Sequence, residues 1–158
     1  GDRQAPPGLS GDAEVTAFRT LPAPPAAEVE RVAHLVLMGM LPALVEEDLA
    51  EFGTALSEVQ RLTGGWFAAS QGGAIAPGPT AAVVHALRSA GAAGVGQSSW
   101  GPTGFAGVPY ALAATDEEAD RLAEAARGPA GRGAFIWRGP FQNTGAVVQA
   151  FVPAVPAD

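Results

Sequence analysis

Residues 94–106 read GVGQSSWGPTGFA, and whether they form helix, strand or loop settles how their neighbours must pack. The first half is short, apolar and too rich in glycine for a helix, which predicts a strand over residues 93–97. The second half gathers Ser, Gly, Pro and Thr and reads as a loop, and residues 105–112 predict a second strand. Upstream, Val83, Val84 and Leu87 mark the inner face of a helix over residues 80–90, stopped by Gly91. Downstream, Thr115 and Glu118 form a T-x-x-E capping box. Asp116 and Glu117 complement that helix's N-terminus and Arg127 its other end, with Gly128-Pro129 as the expected stop.

The rest of the chain extends this pattern. Pro6, Pro7 and Gly8 keep the opening segment in a loop, after which Ser10 is placed to cap a short helix through Phe18. Over residues 26–41, Val29, Val32, Ala33, Val36, Leu37 and Met40 recur at helical spacing, predicting a mostly buried helix with a break at Pro42. Val45, Leu49, Phe52, Leu56 and Val59 then define the clearest amphipathic helix, which Gly64 and Gly65 are expected to end. Two further strands are predicted at residues 134–138 and 145–152, paired as a hairpin through GPFQNTG. The expectation is a single α+β domain over residues 1–158, about four helices packed on a small, mainly antiparallel sheet.

Composition removes several function classes. With 158 residues, 47% of them hydrophobic and 16% charged, the chain can bury a real core. The net charge is −7, Lys is absent and the nine Arg are scattered from Arg3 to Arg138, so no basic stripe exists to meet a nucleic acid. The lack of Cys removes disulfides, thiol catalysis and cysteine-ligated zinc, and fits a cytoplasmic location. The longest apolar run, residues 35–45, is too short to span a bilayer and contains Pro42, and the N-terminus has no signal-peptide character. Neither a membrane nor a nucleic acid is an expected partner.

Several catalytic patterns fail as well. A Walker loop needs a Lys that this chain lacks. Around Ser98 the alternate positions are Gly96 and Trp100, not the two glycines of a nucleophile elbow, and His34 and His85 both fall in predicted helices as ordinary amphipathic-face residues. Two isolated histidines make no zinc site, and neither flavin nor NAD is expected. Glu46, Glu47, Asp48 and Glu51 read as a solvated helix face, with Asp48 flanking the apolar stripe.

The glycines of residues 94–106 allow positive φ and close approach of backbone to a ligand, and successive N–H groups in such a turn make a concavity for anions. Ser98, Ser99 and Thr103 add hydroxyl donors. The residues fit equally a tight connection whose Trp100 packs on a helix. Gln71-Gly72-Gly73 and Gln142-Asn143-Thr144-Gly145 have the same polar, glycine-rich character and could share one rim with it.

GVGQSSWGPTGFA, taken with GLSGDAEVTAF, LMGMLPALVEEDLAEFG and Gln71-Gly72-Gly73, resembles the C-terminal half of the β-ribofuranosylaminobenzene 5′-phosphate synthases of the GHMP kinase superfamily, over about residues 8–152. The resemblance implies an α+β sandwich of helices on an antiparallel sheet, and a transferase, not a kinase. Such enzymes join phosphoribosyl pyrophosphate to 4-aminobenzoate or 4-hydroxybenzoate, releasing pyrophosphate and carbon dioxide, in tetrahydromethanopterin biosynthesis. On this reading the amides of residues 96–99 and the side chains of Ser98 and Ser99 hold phosphate oxygens, Gln97 orients a substrate and Trp100 stacks on the aromatic acid. Gly94, Gly96, Gly101, Thr103, Gln71 and Asn143 complete the lining, and magnesium accompanies the pyrophosphate. Nothing in the chain corresponds to the superfamily's N-terminal phosphate loop. The expectation is therefore a protein whose N-terminal domain is missing here, inactive alone and prone to homodimerise through its uncovered apolar surface. The alternatives are an ATP-dependent small-molecule kinase domain and a non-catalytic binding module of the same fold.

Overall fold

In the computed structural model, residues 11–98, 108–141 and 144 are described. Helix α1 (Asp12–Thr20) starts from Gly11, not from Ser10, which lies outside the described residues. After the extended segment 22–25 comes α2 (Ala26–His34), a π-helical segment Leu35–Met40, and α3 (Leu41–Val45). Backbone angles stay in the right-handed helical region across both junctions, so residues 26–45 form one rod. The break expected at Pro42 takes the form of the wide turn before it. Leu41 N–H reaches back five residues to Val36 O, and Pro42 then falls in the first turn of α3, where its missing donor breaks no α-type bond.

The rod is not mostly buried. No residue of α2 is buried, and Leu37, Met38, Leu41, Leu44 and Val45 are all exposed, Val45 at 84%. Only Leu35 and Ala43 are buried along it. Of the residues picked by helical spacing, Val32 and Met40 do pack inward on Ala55, Val59 and Leu62, joined by Leu35, which that spacing did not single out, while a second apolar face stays open.

Helix α4 (Leu49–Gln71) begins at Asp48, whose Oδ1 accepts the Glu51 N–H at 3.0 Å. Capping explains this carboxylate without a metal. The helix runs straight through Gly64 and Gly65 and ends at Gly72, in the left-handed conformation (φ 86°). Gly64 is required for packing, not for termination: a Cβ there would collide with the carbonyl oxygen of Ala74. Gly65 has no such neighbour. Edge-to-face packing of Phe18 on Phe67 (5.8 Å) seats α1 on this helix, and the Trp66 indole N–H donates to Glu28 to tie it to α2.

Helix α5 (Pro79–Ser89) stops at Gly91 (φ 83°) as expected. Strands β1 (Gly94–Ser98) and β2 (Val108–Leu112) pair antiparallel, Gly94 opposite Leu112 and Ser98 opposite Val108. In α6 (Asp116–Ala130) the capping box forms: Glu118 N–H donates to Thr115 Oγ1, while the Glu118 carboxylate accepts the N–H of Ala114. The helix passes Gly128-Pro129 and stops at Gly131, because a proline in the last turn costs only one late bond. Val83, Val84, Leu87, Val95, Leu122 and Ala126 form the main core between α5, β1 and α6. The helices and antiparallel pair make the expected α+β fold.

The predicted strand at 134–138 does not form. These residues are irregular, with Phe135 and Trp137 exposed, Ile136 packed on the core and Arg138 paired to Asp120 of α6. The aromatic and β-branched residues Phe135, Ile136 and Trp137 gave the strand signal, but here the segment is pinned to a helix by side chains, not laddered to a strand. Its expected partner, 145–152, lies outside the described residues.

Candidate functional site

Strand β1 is enclosed on both faces, for opposite reasons. Val95 points into the main core. Gly94 and Gly96 point at α4, which approaches so closely that added side chains would not fit: a Cβ on Gly94 would lie 2.8 Å from Gly53 Cα, and one on Gly96 2.5 Å from the Tyr110 hydroxyl and 2.6 Å from Gln60 Cγ. Gly53 is equally constrained, since a Cβ there would run into the Ala93 carbonyl. Glycine at these positions permits direct packing of helix on strand.

On the side of β1 away from β2, helix side chains take the strand's donors. Gln97 N–H donates to Gln60 Oε1 (3.0 Å), and Val95 N–H makes a long 3.5 Å contact with Ser57 Oγ. Pro109, which has no N–H, stands opposite Gln97 in the ladder. The Gln97 side chain, on a residue only 9% exposed, is held in a relay. Its Oε1 accepts Ala76 N–H (2.8 Å), its Nε2 donates to Gln71 Oε1 (3.1 Å), and Gln71 Nε2 donates to Ala74 O (3.2 Å). Because Ala76 N–H can only donate, the Gln97 amide has one orientation and fixes that of Gln71. The relay clamps the 72–78 turn onto the end of β1.

Beside it opens a cleft of about 220 Å³, lined by Glu14 and Phe18 of α1, Gln60, Thr63, Gly64, Phe67 and Gln71 of α4, Ala74, and Gln97. Among the described residues, no cationic side chain lines it. Burial pushes the half-buried Tyr110 phenol above its ordinary range, so it stays neutral beside Gly96.

Of the residues singled out from the sequence, Gln71 and Gln97 meet directly, and Gly94 and Gly96 lie in the same strand. Ser98 is exposed at the strand's end. Ser99, Trp100, Gly101, Thr103 and Asn143 lie outside the described residues. The Gln97 main-chain donor, expected in an anion cradle, is taken by Gln60. Sequence reasoning missed Gly53, Ser57, Gln60 and Tyr110. The signal was present as a small and polar stripe (Gly53, Ser57, Gln60, Gly64, Gln71) at spacings of four, three, four and seven, beside the apolar stripe that drew attention. His34 and His85 are both exposed, in α2 and α5.

A glycine-spaced strand in an antiparallel pair, backed by helices, defines an α+β domain. The family model described as GHMP kinases C terminal matches residues 40–130, and the chain belongs to that family. Curated relatives carry the name beta-ribofuranosylphenol 5′-phosphate synthase. The protein of Methanothermobacter thermautotrophicus is 33% identical over 138 residues, covering 87% of this chain. Those of Archaeoglobus fulgidus and Methanocaldococcus jannaschii are 47% and 44% identical over 55 and 52 residues, covering 35% and 33% of this chain. The chain spans 38%, 18% and 16% of the lengths of these three relatives. No solved structure matches. No described helix is long and apolar enough to cross a membrane.

Proposed function

We propose that this chain is the C-terminal part of a synthase that transfers the 5-phosphoribosyl group of phosphoribosyl pyrophosphate to the ring of 4-aminobenzoate or 4-hydroxybenzoate. The ring carbon bearing the carboxylate would form a bond to ribosyl C1. Pyrophosphate leaves with the C1–O electron pair, and the ring's bond to carboxylate breaks to release carbon dioxide. The carrying observation is the meeting of Gln71 and Gln97 at the end of β1, beside the QSSW sequence, in a chain whose curated relatives are named beta-ribofuranosylphenol 5′-phosphate synthase. With the Gln97 amide occupied, the anion seat begins at Ser98, and the hydroxyls of Ser98 and Ser99 meet phosphate oxygens. The described residues offer no group of three or more His, Asp or Glu side chains placed to hold a metal ion, so no step is assigned to magnesium.

The exposed apolar face of the 26–45 rod is the surface against which the remainder of a full-length relative would pack. The test is incubation of the full-length protein with phosphoribosyl pyrophosphate and each benzoate, reading carbon dioxide and pyrophosphate together. Release of both in equal amounts, reduced in Ser98→Ala and Trp100→Ala, is the expected result. Phosphate transfer from ATP to a small molecule without carbon dioxide release would replace this reading with the kinase one.

A further inference from the structure

The cleft beside β1 has a chemical character that the phosphate reading does not use. It has two phenylalanine rings on its walls, Phe67 and Phe18, and Phe18 is left 56% exposed although it packs edge-to-face on its partner. Among the described residues its one charged side chain is Glu14, whose carboxylate has no hydrogen-bond or ion-pair partner there. Gln60 commits its oxygen to the strand, and its amide nitrogen has no partner among the described residues. At about 220 Å³ the space exceeds the roughly 150 Å³ that suffices for benzene, yet falls short of the roughly 300 Å³ at which pockets for whole small molecules begin. The cleft therefore fits one ring of a larger ligand. An acceptor-only carboxylate and no cation select a ring that carries a donor and reject one that enters with its anionic end.

We propose that this cleft seats the acceptor ring with its donor end inward. The ring lies against Phe18 and Phe67, and its amino or hydroxyl group donates to the Glu14 carboxylate. In a para-substituted benzoate this leaves the carboxylate, and the ring carbon that carries it, facing outward past Gln97 toward Ser98 at the end of β1. The proposal rests on the synthase reading for the identity of the ring, but the selection for a donor-bearing ring follows from the lining alone. It gives Glu14 and Phe18 of α1 a role in acceptor choice and places the ring in this cleft.

Binding of 4-aminobenzoate and of plain benzoate, which lacks the donor, is measured by calorimetry on the full-length protein, with inorganic pyrophosphate titrated in parallel. 4-Aminobenzoate is expected to bind about tenfold more tightly than benzoate, and Glu14→Ala to bring that ratio close to one. Phe18→Ala, on an exposed helix remote from the core, is expected to weaken both rings alike and to leave pyrophosphate binding unchanged. A ratio unaffected by Glu14→Ala, or ring binding unaffected by Phe18→Ala, overturns the proposal. The two readings fail separately. Ribosyl transfer with an unchanged acceptor KM in both variants would sink the cleft and keep the synthase, whereas ring selection as described without any transfer would keep the cleft and sink the synthase.

Discussion

Helix α4 has two sides that solve the packing problem in opposite ways. Toward the 26–45 rod it presents Ala55, Val59 and Leu62, ordinary apolar bulk meeting Val32, Leu35 and Met40. Toward β1 it presents Gly53, Ser57 and Gln60, and toward the following turn Gly64, so that backbone meets backbone and polar side chains take the donors of the strand's outer side. The first side is held by volume, which tolerates rearrangement; the second is held by the absence of volume, which does not. The candidate site stands on the second side, and its geometry is correspondingly fixed.

This contrast is open to attack by mutation. Gly53→Ala should be the most damaging single change, because the new methyl meets the Ala93 carbonyl, a backbone atom that cannot step aside. A loss of about 3 kcal/mol or more in denaturant unfolding is expected, at the upper end of overpacking costs. Leu62→Ala removes volume from the opposite side and should cost about 2–3 kcal/mol, with the cleft's ligand preferences intact. Equal tolerance of an added methyl at Gly53 and of the lost isopropyl group at Leu62 would erase the distinction between the two sides. Gln97→Ala strands the Ala76 N–H and the Gln71 carbonyl oxygen and should cost about 2 kcal/mol, with hydrogen exchange rising in the 72–78 turn while α6 is unaffected. The smallest effect belongs to an exposed ion pair in the middle of α4. The hydrogen bond from Arg61, chiefly, holds the Glu58 carboxyl below its ordinary range. A lowered folded-state pKa contributes stability above the unfolded value that is lost as pH falls through the folded one. A slight acid-side loss, absent in Glu58→Gln and weakened by salt, is expected in a pH series of unfolding curves.

Local chemistry was legible in the sequence where one residue decides the outcome. The T-x-x-E box at Thr115 and Glu118, the stop at Gly91 and the strand over residues 93–97 all appear where composition places them. Gly64 and Gly128-Pro129 were misread as stops. A glycine in a helix costs only about 1 kcal/mol, which the close approach of Ala74 to Gly64 outweighs, and a proline in the final turn disrupts little. Residues 26–41 read as a mostly buried helix because periodicity reports an apolar face but not whether a neighbour covers it. The strand at 134–138 failed because the β-propensity of Phe135, Ile136 and Trp137 cannot reveal whether a ladder partner stands alongside. At the site, Gln71 and Gln97 were legible as polar residues in glycine-rich surroundings, whereas Gln60 and Gly53 were hidden in a helix read only for its apolar stripe.

Native-state hydrogen exchange at the Gln97 amide probes the helix-capped strand with the least interpretation. With its N–H held by Gln60, that amide should exchange as slowly as the core of β1, and Gln60→Ala should raise its rate by more than about tenfold while leaving Leu122 in α6 unchanged. Fast exchange at Gln97 in the unaltered protein, or no response to Gln60→Ala, would show that α4 does not secure the strand that leads into the site.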